Sequence, residues 1–384
     1  MTSRMADPNP RVLFLGRSRY RLPLPAWLAK KWDAIEEVID YRVFGAAEAG
    51  GETRSERFRL RPPARVHALD GALFYLRLPF WIRRQIVEFD PEVIVAADPF
   101  IGATALAGRR LAGVKTPLIV EVHGDWRTFT RGYGSPARRF LSPVTDRISR
   151  YVLRHADATR GLSGFTSGLI EGVRGEPATA TFPTYSDLSA FVAEPVRPLP
   201  ERPVAVFVGM LEAYKNIDGL ARAWRRVVTS VPEAQLVIIG KGRRRQVVED
   251  LIADHPDQVE YHEQLSPAGI AAKLDDATLL VLPSWPEGLG RVIIEAFARG
   301  RGVIATGAGG VLDLVENGVE GILIAPADTE ALVTEMVRVF SDRDLAVRLG
   351  EAAHARYADW HSTAPEFAHQ MRGLVDVTLG RASS

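Results

Sequence analysis

Apolar residues run along this chain in a repeating two-part pattern. A short β-branched run is followed by ten or more residues whose apolar positions return at helical spacing, and the pair then repeats. In the first half the predicted strands are RVLFLG (11–16), EVIDYRVF (37–44), EVIVAAD (92–98), PLIVEVHG (117–124) and DATRGLS (157–163), with helices near 24–35, 70–89, 100–112 and 136–155. Residues 46–61, rich in Gly, Glu and Arg, read as an exposed loop with one edge strand. The stretch SDLSAFVAEPVRPLPERP (186–203) loses backbone donors at its prolines and reads as a connection. Beyond it the alternation resumes with PVAVFVG (203–209), a helix opening at Asn216, QLVIIG (235–240) and a helix reaching about Ala253. QVEYH, a helix capped by Ser266 ahead of Pro267, TLLVL, GVIAT (302–306) and GILIA (321–325) come next, and helices over 328–341, 343–358 and 363–379 close the series.

Strands alternating with helices of this length predict parallel sheets covered on both faces. The fold class is therefore α/β, with two Rossmann-like doubly wound domains. The expected boundaries are 1–190 for an acceptor-binding domain, 191–202 for a linker, 203–360 for a donor-binding domain, and 361–384 for a helix packing back on the first domain. Ligands of such sheets bind outside the carboxyl ends of the strands, and for a pair of domains the natural place is the cleft between them.

Length agrees with this: 384 residues exceed what one core usually holds. The chain has no cysteine, which excludes disulfides, thiolate metal sites and a cysteine nucleophile. No apolar run is long enough to span a membrane, and the first apolar segment is too short for a signal peptide, so the expected location is the cytoplasm. The net charge of +1 hides an asymmetry: residues 1–200 carry 29 Lys and Arg against 21 Asp and Glu, and the remainder is acidic. Different partners for the two halves, or simple drift in composition, both account for it.

The most informative stretch is PSWPEGLGRVIIEAFARG (283–300). It leaves a buried strand, passes a glycine-punctuated turn and enters an apolar-periodic helix. Free N–H groups at a helix start attract phosphate, and Gly288 and Gly290 let backbone approach a ligand closely. Glu287 and Glu295 are acceptor-only carboxylates suited to sugar hydroxyls. Together they describe a pocket for a nucleoside diphosphate sugar; the bland alternative is a capped helix with two solvated glutamates.

The segment PSWPEGLGRVIIEAFARGRGVIATGAGGVLDLVENGVEGILIAPAD resembles the donor-binding signature of retaining GT-B glycosyltransferases, specifically the large family 4, with its E-x7-E spacing, GG turn and NG-x-x-G-x-L segment. The resemblance implies two Rossmann-like domains facing a central cleft. It implies that Glu287 contacts the transferred sugar, that Gly288, Leu289 and Gly290 offer amides to the sugar and diphosphate, and that Glu295 accepts from the ribose diol. GMLEAYKN is similar to the family's G-R-L-x-x-x-K, which implies Gly209 near the phosphates and Lys215 as the cation on the leaving diphosphate. Met210 stands where the family has arginine, and Arg291 is the candidate replacement. IIGKG and YHEQLS imply a base site at Gly240, Lys241, Gly242, Gln264 and Leu265.

In the first half, EVHGDW resembles the family segment whose histidine reaches the reacting centre, which makes His123 the third catalytic candidate beside Lys215 and Glu287; Asp125 is an acceptor-side candidate or a loop cap. The loop GRSRYRL places Gly16, Arg17, Arg19 and Arg21 past the first strand, where they suit an anionic acceptor such as a lipid-linked phosphate or glycan. No metal and no cofactor is expected, the nucleoside diphosphate sugar being a co-substrate, and front-face retention follows from the resemblance alone. Arg77, Arg83 and Arg84 among aromatics, and Arg138, Arg139, Arg147, Arg150 and Arg154 further on, leave two readings: an anionic membrane surface as partner, or solvated arginines over packed rings. No motif points to nucleic acid. A nucleotide-sugar epimerase of the same architecture and a non-catalytic nucleotide-sugar-binding module are the competing functions.

Overall fold

The computed structural model describes the backbone of residues 9–62, 67–127 and 136–381, and their side chains apart from 67–75 and 136–141. The chain forms two compact units. One holds the described residues up to Arg127, then Phe140–Tyr185 and Ser362 onward; the other holds Ser186–His361 together with the described residues 136–139.

In the first unit a seven-stranded sheet runs β3-β2-β1-β4-β5-β6-β7, formed by β1 (Arg11–Tyr20), β2 (Asp40–Ala47), β3 (Phe58–Arg61), β4 (Val93–Ala96), β5 (Leu118–Val122), β6 (Ala158–Gly161) and β7 (Ala180–Thr181). Every pair is parallel. Alternation along each strand feeds two cores. Val12, Val43, Phe58 and Val95 face one side, where α1 (Ala26–Val38) and the last helix, α14 (Ala364–Thr378), pack together. Leu13, Phe44, Ile94 and Val120 face the other, covered by α2 (His67–Phe89), α3 (Pro99–Ala112) and α4 (Pro136–His155). On the first side Trp32 meets Phe14 and Phe58 edge-on at 5.4 and 5.6 Å, and Phe367 of α14 meets Phe182 at 5.9 Å. A helix from the far end of the chain thus completes the first unit's core.

The second unit has a six-stranded parallel sheet in the order β10-β9-β8-β11-β12-β13. Its strands are β8 (Val204–Val208), β9 (Gln235–Ile239), β10 (Val259–His262), β11 (Leu279–Leu282), β12 (Gly302–Thr306) and β13 (Gly321–Ile324). In both sheets the order reverses once, between β1 and β4 and between β8 and β11, and such a switch point opens a crevice at the strand ends.

The structure departs from the sequence reading in four places. A helix over Gly164–Arg174 (α5), capped by Ser163, is not anticipated by the sequence pattern, because its apolar stripe is short and comes directly after a strand. The first strand continues past residue 16: after a register shift between Leu15 and Arg19, Arg19 and Tyr20 pair with Ala46 and Ala47. Asn216 does precede a helix, α7 (Ile217–Ser230), but in the left-handed region with no capping hydrogen bond. The Pro-rich stretch is no free connection. Its short helix α6 (Ser189–Val192) buries Phe191 in the second core, and two almost fully buried arginines bind its carbonyls. Arg299 donates to the oxygens of Phe191, Glu194 and Pro195 at 3.1, 2.7 and 2.9 Å, and Arg301 to that of Arg197 at 3.0 Å. Proline supplies rigid carbonyls and few competing donors, so the guanidinium fork can satisfy several at once.

Candidate active site

In the second unit the switch point is bounded by the loops that leave β8 and β11. Gly209 continues from β8, and its N–H donates to Ile239 O at 3.0 Å. A single 3₁₀ turn, Ala213–Lys215, then carries Lys215. After β11 the chain passes Ser284 and reaches Glu287, and Trp285 N donates to Tyr214 O at 3.1 Å, tying the two segments together. Lys215 Nζ and Glu287 form an ion pair, with only 11% and 13% of their side chains exposed. Ser284, itself fully buried, donates to the same Glu287 oxygen. A cation and a carboxylate therefore stand side by side at the carboxyl ends of these strands, the general location of ligands in open α/β sheets.

Gly288, Leu289 and Gly290 come next. Gly290 has a φ of 87° and opens α10 (Arg291–Ala298), which has no side-chain cap. The amides at this helix start are thus not taken by a capping side chain. The turn is braced by the loop after β12: Gly310 N donates to Glu287 O at 2.8 Å, and a Cβ on Gly310 would fall 2.1 Å from Gly288 O. Only glycine allows that approach. On the other side Gly240 has a φ of 151°, and a Cβ there would lie 1.8 Å from Gly209 O. Lys241 Nζ reaches Gln264 Oε1 at 3.4 Å, and Gly242 and Leu265 lie in the same two loops. Glu295 is 4% exposed; burial pushes its carboxyl above the ordinary carboxylate range, partly offset by Arg291, which bonds it at 2.9 Å. Arg291 is thereby engaged with Glu295, and Met210 is half exposed.

In the first unit His123 lies just beyond β5, and its Nε2 lies 3.1 Å from Glu121 Oε2. Glu121 and Arg160 are register partners on β5 and β6 and form a buried ion pair. Arg160 also donates to Phe182 O and Pro183 O at 3.1 and 3.0 Å. Burial acts to raise the Glu121 carboxyl, but the Arg160 guanidinium and the His123 ring outweigh it and hold it well below the usual range. Lys31 of α1 shares this field: burial draws its ammonium down to about 8, against the pull of Glu121. An ionised carboxylate only accepts, so Glu121 fixes the proton on His123 Nε2 and leaves Nδ1 as the acceptor of the neutral ring. Asp98, the N-cap of α3 beside the β1/β4 switch point, accepts from Ile101 N at 2.8 Å. Burial raises its carboxyl, while the Ile101 and Phe100 amides, His123 and Arg17 draw it back.

Gly16 sits against Ala97 at this end of β1, but Arg17 and Arg19 lie on the extended strand rather than in a loop, and Arg21 comes directly after it. The strand extends because Ala46 and Ala47 of β2 offer it partners. Asp125 accepts from Arg127 N and Nε at 2.9 and 2.8 Å, a local loop contact. Glu121, Arg160 and Asp98 escape sequence reasoning. Their signal is present all the same: an acid inside one apolar strand, a base inside the next, and an acid directly after a third.

Two family models match the chain: glycosyl transferases group 1 over residues 202–342, and the glycosyl transferase 4-like domain over residues 26–184. Among curated relatives, the sulfoquinovosyl transferase SQD2 of Arabidopsis thaliana is 28% identical over 176 residues, which is 44% of this chain and 33% of that protein. The alpha-D-kanosaminyltransferase of Streptomyces kanamyceticus is 31% identical over 258 residues, 64% of this chain and 66% of the relative. The chain thus spans a third to two thirds of the length of these relatives. Among solved structures, the sucrose-phosphate synthase of Thermosynechococcus elongatus superposes with a TM-score of 0.77 at 18% identity, covering 97% of this chain and all of that one. Anabaena Alr3699/HepE, solved with UDP-glucose, superposes with a TM-score of 0.68 at 17% identity over 97% of this chain and all of that one. These likenesses establish two parallel-sheet α/β domains of the GT-B kind, and the two family matches fall one on each unit. The chain belongs to the group 1 glycosyltransferases, with a family 4-like first domain.

Proposed function

We propose that this protein is a retaining, metal-independent glycosyltransferase that moves a sugar from a nucleoside diphosphate sugar, with uridine as the base, to a glycan or lipid-linked acceptor. The observation that carries this reading is the Lys215–Glu287 pair beside the uncapped start of α10. As the glycosidic bond to the diphosphate breaks, charge grows on the leaving phosphate. In this reading Lys215 and the amides at the start of α10 receive it, and such preorganised donors commonly contribute about 3–4 kcal/mol each to the barrier reduction. Glu287 holds a hydroxyl of the moving sugar, and Glu295 accepts from the ribose through the carboxyl oxygen that Arg291 does not bond. In this reading His123, with Nε2 on Glu121 and Nδ1 left as an acceptor, is the first unit's catalytic candidate, and the leaving phosphate takes the acceptor's proton. The UDP-glucose held by the Anabaena neighbour and the sugar-transferring names of the relatives support the donor class.

The acceptor reading rests on Gly16, Arg17, Arg19 and Arg21 at the end of β1. Peripheral contact with an anionic membrane at its cytoplasmic face is supported by exposed Leu76, Phe80 and Val87 on α2 and Val144, Ile148 and Tyr151 on α4, among the arginines of both helices. Arg138 and Arg139 lie outside the described side chains. Among the described residues no helix is long and apolar enough to cross a membrane.

A thermal-shift screen with UDP, GDP and ADP and their sugars tests the donor. UDP and a UDP-sugar should raise the melting temperature, and Glu295→Ala should abolish the rise. A rise that survives Glu295→Ala places the nucleotide elsewhere and ends the proposal. NMR of the product's anomeric proton tests retention.

A further inference from the structure

A second charged feature lies on the flank of the first sheet. Arg42 and Phe44 of β2 share one face with Arg59 of β3, since Phe44 and Arg59 are register partners and Phe58 and Leu60 enter the opposite core. On that face α2 covers the sheet, and a parallel sheet is normally apolar on both faces. Here arginines stand where aliphatic residues are expected. Arg59 borders a hollow of about 290 Å³ that is also lined by Arg54, Arg61 and Arg84 over an apolar wall that includes Phe44 and Trp81. Glu88 is the one carboxylate among the described lining residues; it bonds Arg84 at 2.6 Å and lies 4.0 Å from Arg42.

Two observations say that this hollow is incomplete. Gln85, 6% exposed and part of the lining, has a buried side-chain oxygen with no hydrogen-bond partner. The arginines also oppose one another. Burial lowers the basicity of Arg42 and Arg59, and Arg54 lowers both further. The reading that edge-strand charges merely deter aggregation accounts for side chains along an edge. It does not account for arginines turned onto the covered face beside an unsatisfied amide.

We propose that this hollow is a binding site for a phosphate-bearing anion, a phosphate ester small enough for about 290 Å³, held by Arg54, Arg59, Arg61 and Arg84. Planar guanidinium forks match phosphate oxygens, a half-turn of the Gln85 amide adds a donor, and the Trp81 ring, already under Arg61 at 5.2 Å, receives the ester's organic part. The site lies away from the β1/β4 switch point, along the outermost strand, so it goes beyond the reading of transfer proposed above.

The ester is either a lipid headgroup or a soluble metabolite, and the test separates them. Calorimetry with glycerol 3-phosphate, and sedimentation with phosphatidylglycerol or phosphatidylcholine vesicles, is run on the whole protein, on Arg54→Ala/Arg84→Ala, on Lys215→Ala, and on Arg222→Ala/Arg348→Ala, two exposed arginines of the second unit, as a control for bulk charge. The pocket variant should bind its anion about tenfold or more weakly, as expected for loss of charge-assisted contacts, with the control unchanged. Vesicle binding without glycerol 3-phosphate binding identifies a headgroup, and the reverse a soluble ester; both support the site. Arg54→Glu, a single exposed change, gives the same readout if the double variant melts early. No binding of either probe, equal loss in the control, or loss on Lys215→Ala instead would overturn the proposal.

Discussion

The Lys215–Glu287 pair makes a two-sided prediction. In the ligand-free protein the ammonium is already neutralised by a carboxylate, both nearly buried. Two unit charges 4 Å apart at an effective dielectric constant near 20 attract by about 4 kcal/mol. A diphosphate approaching Lys215 must compete with that attraction and meets the Glu287 charge as repulsion. Glu287→Gln removes the competitor and keeps an amide oxygen to accept from Ser284. If a third of the pair energy is released, about 1.4 kcal/mol, UDP should bind roughly tenfold more tightly. Sugar transfer should fall on the order of a hundredfold, because the carboxylate contact to the moving sugar is lost. The ligand-free variant should also melt earlier, since one partner of a buried pair is left alone. Titration calorimetry of UDP at fixed pH and about 0.15 M salt, with initial rates on the matching donor, reads both effects. Lys215→Met serves as the control and should lose UDP affinity. Unchanged or weaker UDP binding by Glu287→Gln would show that Lys215 does not face the diphosphate, and the assignment of the site would fail with it.

Three further outcomes are expected. Gly310→Ala puts a methyl 2.1 Å from Gly288 O, so it should cost about 1–3 kcal/mol in urea melts and erase the UDP-induced thermal shift; a wild-type shift would show that the two loops need not touch. Glu121→Gln should lower stability at pH 7 by about 3 kcal/mol. Because the folded-state carboxyl lies below its ordinary 4.5, its contribution is fully present above that pH and is lost as the pH falls from there through the depressed value. The gap between wild type and variant in urea midpoints should therefore close on acidification, and a constant gap would refute the charge argument. Arg299→Met leaves the buried Asp275 with only Arg197, 3.8 Å away, and strips donors from three carbonyls, so a loss of about 3 kcal/mol is expected, and Arg299→Lys should recover little because one ammonium cannot reach all four partners.

The sequence carries most of the fold because its two periodicities alternate without interruption, and both sheets arise from that alternation. It carries the glycine-punctuated turn of the second unit for a different reason: Gly288, Gly290, Glu287 and Glu295 are close in sequence, so their spacing survives as geometry. Pairing across the chain is beyond its reach. Lys215 meets Glu287 across 72 positions, and Glu121 meets Arg160 across 39; strand order, not local spacing, makes these pairs. Arg291 looks available to replace the cation missing at Met210, yet helical spacing places it on Glu295 four residues ahead. The stretch 186–203 misleads because composition reports donors removed by proline but is silent on the arginines that collect the carbonyls, which come a hundred residues later.

The helix Ala364–Thr378 has a consequence for how the protein is born. Its Phe367 and Met371 fill the core beside α1, and its Arg372 donates to Val38 O at 2.9 Å, so the first unit lacks a wall until this helix exists. A ribosome delivers the whole of Ser186–His361 before it delivers that wall. The second unit, continuous over that stretch, is therefore free to settle while the earlier-made one still waits with Trp32, Ile35 and Phe182 open to water. Order of synthesis and order of completion run in opposite directions in this chain.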